Sequence, residues 1–229
     1  MIIFIGMDDT DNSESRGTGH LARATAVQLS AAHTVLGVVR HQLFFDPRVP
    51  YTKNNSSAAI LLQVEEGADL GAIFQQVKAI MQADFQPGSD PGLCATAAVP
   101  ETVMQFGQRT KVDLVTQAEA RQLAAQSGIL LEGLGGTEGG VIGALAAVGL
   151  AASGEDGRYV QVGSLRELSG LQPVSALLAA GIQHVQTLDG QPVTQGMVLT
   201  DKLRPARRSG VPVAVVQWEN DAWQPLKLD

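Results

Sequence analysis

The stretch at residues 2–20, IIFIGMDDTDNSESRGTGH, joins a short apolar run to a knot of carboxylates, hydroxyls, an arginine and glycines. Ile2, Ile3, Phe4 and Ile5 carry the β-branched and aromatic bias of a buried strand, and the residues from Thr18 onward read as a helix. The acidic residues therefore sit on a strand-to-helix turn, where α/β sheets bind their ligands. Asp8, Asp9 and Asp11 repel one another unless a cation, donors or solvent offset their charge, and a hard divalent ion such as Mg²⁺ does so. Gly17 and Gly19 let backbone approach a ligand closely, Arg16 offers a planar charged fork to phosphate, and the helix start adds N–H groups. His20 is a candidate general acid or base, or simply a residue that closes the turn.

Beyond this turn the apolar spacing predicts a helix over residues 19–32, strands over 33–45 and 57–64, a helix over 69–83 and a strand over 93–99. The order β, α, β, β, α, β is compatible with a ferredoxin-like or another sandwich of the α/β (α+β) class, and order alone does not fix which strands pair. Between the second and third strands, residues 46–55 gather Arg48, Tyr51, Lys53, Asn54 and Asn55 just ahead of Ser56. These donors suit a phosphate, a ribose or a base, although the prolines and paired asparagines make a turn without any ligand. Thr116 and Glu119 have the spacing of a capping box and start a further helix. A third candidate loop, GLGGTEGG at residues 133–140, places Gly135, Gly136, Thr137, Gly139 and Gly140 ahead of the helix VIGALAAVGLAA. Its backbone suits a phosphate, or else close packing of a small-residue helix. It lacks the Lys-Ser/Thr of a P-loop and the GxGxxG of a dinucleotide site.

From Tyr159 onward short β-like runs alternate with turn signals, which predicts an α/β region over 1–160 and a small β-rich unit over 161–229. In that unit Arg204, Arg207 and Arg208 concentrate basic charge that suits a phosphate, a partner or plain solvation. A chain of 229 residues, 45% hydrophobic, buries a proper core, and its formal charge of −7 argues against a broad nonspecific nucleic-acid surface. The single cysteine, Cys94, rules out an intramolecular disulfide, and neither a zinc-spaced Cys/His cluster nor a bilayer-length apolar run is present. A soluble cytoplasmic protein with no membrane partner is expected, and no pattern fixes its oligomeric state.

Three blocks together resemble the amino-terminal part of the archaeal tRNA agmatidine synthetases. The family's GIDDTDS followed by RG is similar to GMDDTDNSESRG at residues 6–17. Its RLNP and IPYKTRGN segments resemble RHQLFFDPRVPYTKNNSS, and its GLIGALAAVG resembles GGVIGALAAVG at residues 139–149. Asp90-Pro91-Gly92 also has a counterpart. The resemblance implies a kinase-like domain that binds Mg-ATP through Asp8, Asp9, Asp11 and the glycine loop, beside a ferredoxin-like module. In the family, ATP activates a cytidine carbonyl in tRNA before agmatine displaces the phosphate. Nothing in residues 161–229 resembles the family's oligonucleotide-binding barrel or zinc ribbon, which argues against a tRNA substrate. Thr137, Glu138 and Asn54 stand where the family carries basic residues.

The expectation is thus a Mg-ATP-dependent phosphotransferase or ATP-activating enzyme acting on an unidentified small-molecule acceptor. Asp8, Asp9 and Asp11 would hold the metal, with Arg16, Lys53 and the glycine loop on the phosphates. One alternative is a nucleotide-binding sensor or partner protein without catalysis. Another is a metal-dependent phosphatase with Asp9-Thr10-Asp11 as its nucleophile turn.

Overall fold

The computed structural model describes residues 1–49, 51, 52 and 54–228. Its first half comprises β1 (Ile2–Asp8), α1 (Thr18–Leu29), β2 (Thr34–Gln42), β3 (Ser56–Gln63), α2 (Leu70–Ala83) and β4 (Gly92–Thr96). These strands lie in the order β4-β1-β3-β2, every neighbouring pair antiparallel. Each helix joins two strands that flank a third, which is the ferredoxin-like one of the arrangements that the order of elements allowed. β1 runs three residues past its apolar start because Gly6, Met7 and Asp8 stay paired to Cys94, Leu93 and Gly92. Asp8 is therefore the last residue of a strand, and only Asp9 begins the turn.

Both faces of this sheet are covered, which explains why β3 reads as an unbroken apolar run. On one face Ile3, Ile5, Ile60 and Leu62 pack with Leu21 and Ala26 of α1 and with Ile73 and Val77 of α2. The other face carries α3 (Glu101–Arg109), α4 (Gln117–Gln126) and α5 (Val141–Ser153), while β5 (Leu130–Gly133) extends the sheet beside β4. The small residues of α5 allow the helix to sit directly on the strands. A Cβ at Gly6 would overlap the Ala144 carbonyl, so β1 and α5 touch backbone to backbone. Leu145 and Leu150 of α5 are fully buried, and cutting either to alanine costs about 2–5 kcal/mol.

The remainder comprises β6 (Arg158–Gln161), β7 (Leu171–Pro173), α6 (Val174–Ala179), β8 (His184–Gln186), β9 (Met197–Leu199), β10 (Ala206–Arg208), β11 (Val211–Glu219) and β12 (Ala222–Pro225). It is β-rich, as its turn spacing predicted. β6 pairs with β2 on one side and β10 on the other, so the sheet continues from the ferredoxin-like half through β6. The boundary expected between residues 160 and 161 falls inside β6. Among the described residues no helix is long and apolar enough to cross a membrane.

Candidate functional site

The carboxyl ends of β1 and β2 and the amino ends of β3 and β4 meet at one end of the sheet, as the pairs Asp8↔Gly92 and Gln42↔Ser56 require. There the connecting loops and the first turn of α5 enclose a cavity of about 210 Å³. Its lining combines the carboxyl groups of Asp8, Asp9, Asp90 and Asp113 with apolar side chains that include Leu43, Phe44, Val49, Val115 and Ile142. A lining of this kind suits a flat apolar group such as a base, with the carboxylates left to act on whatever that group carries.

Asp8 owes its position to the lack of a side chain opposite. A Cβ at Gly143 would overlap the Asp8 carboxylate, so that glycine admits the carboxylate between β1 and α5. Asp9 adopts a left-handed backbone conformation, with φ of 50°, and turns the chain sharply out of the strand. Asp90 comes from the loop ahead of β4. Its Oδ1 accepts the Thr137 N–H at 2.5 Å and its carbonyl accepts the Gly140 N–H at 2.9 Å. Burial, and then the charge of Asp9, pushes the Asp8 carboxyl up to about 8. Burial followed by the charges of Asp90 and Asp11 pushes Asp9 up to about 6. The raised values reflect the cost of ionising neighbouring carboxyl groups out of water.

Of the residues singled out in the sequence, Asp8, Asp9, Asn55, Thr137 and Gly139 line this cavity. Asp11 does not. Its Oδ1 accepts the N–H and the hydroxyl of Thr18, both at 3.2 Å, which ties it to the first turn of α1. Arg16 and His20 are exposed and bond to each other at 2.8 Å, away from the lining. Gly17 precedes α1 as its cap, Asn54 is exposed, Ser56 opens β3, and none of the three lines the cavity. Asn55 donates its side-chain amide to the Phe44 carbonyl at 2.7 Å and so fixes the loop. Gly135 lies against the Phe85 ring, Gly136 takes a φ of 60° beside Asp90, and Gly140 is pressed onto Gly92 and Asp90. Much of the glycine loop is thus explained by close packing on Asp90, which uses the N–H groups of Thr137 and Gly140. Lys53 lies outside the described residues.

Sequence reasoning passed over Asp90, Asp113, Gly143 and the apolar part of the lining. The Asp90-Pro91-Gly92 match was the available signal for the first. No described lysine or arginine lines the cavity. Among the described residues no group of three or more Asp, Glu, His or Cys side chains is gathered as a metal-holding set. Mg²⁺ commonly keeps several waters and takes only one or two carboxylates together with substrate phosphates. The paired Asp8 and Asp9, backed by Asp90, fit that sparse mode.

No protein-family model and no curated protein matches the chain. Solved structures do. A tRNA fluorescent labeling enzyme matches with a TM-score of 0.57 and 24% identity over 65% of this chain and 36% of that enzyme. Apo tRNAIle2 agmatidine synthetase matches with a TM-score of 0.55, 24% identity and coverage of 65% and 35%. The same synthetase in complex with tRNAIle2 and ATP matches with a TM-score of 0.57, 24% identity and coverage of 65% and 36%. The matched region spans about a third of the length of those enzymes. In fold, then, this chain is similar to a part of tRNAIle2 agmatidine synthetase, as its three sequence blocks anticipate.

Proposed function

We propose that the cavity at the end of β1 binds Mg-ATP and that the protein is an ATP-dependent phosphotransferase or ATP-activating enzyme acting on a small molecule. The observation that carries this reading is the meeting of Asp8 and Asp9, at the end of β1, with Asp90, from the loop before β4, in a cavity that is otherwise largely apolar. Carboxylates without a lining cation repel polyphosphate, so the phosphates need a divalent ion as their bridge to the protein. When bound, that ion neutralises charge on the phosphates. Asp8 and Asp9 would hold it as carboxylates. Asp90, already hydrogen-bonded to Thr137, positions the glycine loop against them. The apolar side chains of Leu43, Phe44, Val49, Val115 and Ile142 receive the base and keep water from it. The fold likeness to a synthetase solved with ATP supports the choice of nucleotide.

A second reading, a nucleotide-binding sensor without turnover, is favoured by the lack of any lysine or arginine among the described lining residues, because phosphoryl transfer relies on positive charge at the transition state. Calorimetric titration of the purified chain with ATP, with and without Mg²⁺, followed by product analysis across candidate acceptors, separates these outcomes. Binding that needs Mg²⁺, with release of ADP or of AMP and pyrophosphate, supports the enzyme. Mg²⁺-dependent binding without products supports the sensor, and no binding overturns both.

A further inference from the structure

A cluster of basic side chains lies where helix α1 passes β6. Tyr159, Val162, Arg166, Thr200 and Arg204 are among the residues around a cavity of about 80 Å³ where β6 meets the turn at residues 165–167 and the loop before β10. Helix α1 runs beside β6 and brings Arg23 to the same place. We propose that Arg23, Arg166 and Arg204 form a binding site for the terminal phosphoryl group of a small phosphomonoester.

The three arginines come from distant parts of a chain whose formal charge is −7, and among the described residues none of them forms an ion pair. Each donates one hydrogen bond to a main-chain carbonyl: Arg23 to Gly19 at 3.2 Å, Arg166 to Val160 at 3.1 Å and Arg204 to Leu203 at 2.7 Å. These bonds aim the guanidinium groups and use a small part of their five donors. Asp201, the one acid in the lining, accepts the Gly170 N–H at 2.8 Å. Like charges dominate the surroundings. Burial and then Arg166 and Arg16 lower the Arg23 pKa, and burial followed by Arg166, Arg158 and Arg23 lowers that of Arg204. Such a cluster favours an anion carrying two charges and several acceptor oxygens, which a phosphomonoester offers and a neutral sugar does not. The size of the cavity admits one phosphoryl group and leaves the rest of the ligand outside. Of the three basic residues that the sequence concentrated at 204–208, only Arg204 takes part. Arg207 is buried and donates to the Ala151 carbonyl and the Tyr159 hydroxyl, and Arg208 donates to the Glu155 carbonyl.

The test compares the wild-type chain with Arg166→Gln and Arg204→Gln, neither of which alters a residue lining the acidic cavity. Thermal unfolding is followed at constant ionic strength against inorganic phosphate, glycerol phosphate and a single-stranded oligonucleotide lacking terminal phosphates. Both phosphate probes are expected to raise the melting temperature of the wild type, and each substitution to weaken the apparent affinity about tenfold. In phosphate-free buffer Arg166→Gln is expected to melt at or above the wild type, because it relieves repulsion. Equal phosphate shifts in wild type and variants, no shift in any of them, or a phosphate-free Arg166→Gln variant that melts well below the wild type overturns the site. Displacement of phosphate by the oligonucleotide at lower concentration than glycerol phosphate overturns the small-ligand assignment in favour of a polynucleotide.

Discussion

The carboxylate of Asp8 fills the space that a side chain at Gly143 would need, so the last residue of β1 and the first turn of α5 share one volume. Gly143→Ala is therefore expected to destabilise the protein by about 1–3 kcal/mol through overpacking, and to weaken Mg-ATP binding by displacing the carboxylate. In an Asp8→Ala background the same change should cost less, since most of the clash is gone. Urea unfolding of both single variants and the double variant measures the coupling, and strict additivity would contradict the shared volume.

Asp8 and Asp9 also set a pH dependence. Their ordinary value of 3.8 is raised to about 8 and about 6 in the folded chain, so the native state holds protons that the unfolded state releases. Their contribution to stability is complete below pH 3.8 and is lost as the pH rises through 6 and then 8. The stability of the wild type relative to Asp8→Asn, measured without divalent cations, is expected to fall between pH 4 and pH 8 and to level off above. A flat difference across that range would show that the Asp8 carboxyl titrates normally.

Asp11 should behave unlike its neighbours. It accepts two hydrogen bonds from Thr18 at the head of α1 and does not line the cavity. Asp11→Ala is expected to cost about 1 kcal/mol of stability, the usual scale for losing such a helix-start acceptor. Asp9→Asn, in the cavity lining, should reduce Mg-ATP affinity about tenfold or more, the scale of a charged contact. Calorimetry on both variants decides between anchoring and ligation.

A buried network joins β2 to the loops after α3 and α5. His41 of β2 bonds through Nδ1 to Asp156 at 2.8 Å, and Asp156 also pairs with Lys111. Burial lowers the His41 pKa against the opposing pull of Asp156. Burial opposes ionisation of Asp156, but the His41 hydrogen bond and the Lys111 partner outweigh it and hold its pKa down. Asp156→Ala strands both partners and is expected to cost about 3–5 kcal/mol in denaturant titration.

The pattern of apolar residues was enough to reveal β1, α1, α2 and the order of elements, because each has a period that local sequence records. The acidic turn was legible for the same reason, as its residues are adjacent. Asp90 was harder to place. It sits in a Pro/Gly-rich turn far from Asp9 in sequence, and only antiparallel pairing of β1 with β4 sets it beside that residue. Gly143 read as one more small residue in a small-residue helix, and its role depends on which strand residue lies opposite. Arg23, Arg166 and Arg204 share no local pattern at all; they meet because β6 extends the sheet past β2. Conversely, Asp11, Arg16 and His20 looked alike as polar turn residues, and nothing in their spacing separates a residue that faces the cavity from one that fastens a helix.

That extension by β6 has a further consequence. β2 is a nine-residue strand, hydrogen-bonded to β3 on one side and held on the other by the Arg158–Gln161 strand. A fragment ending before Arg158 would keep every residue of the acidic cavity yet turn β2 into a bare edge, an open template for strands of neighbouring molecules. The carboxy-terminal third therefore closes an edge that the first two-thirds alone would leave open to strand pairing.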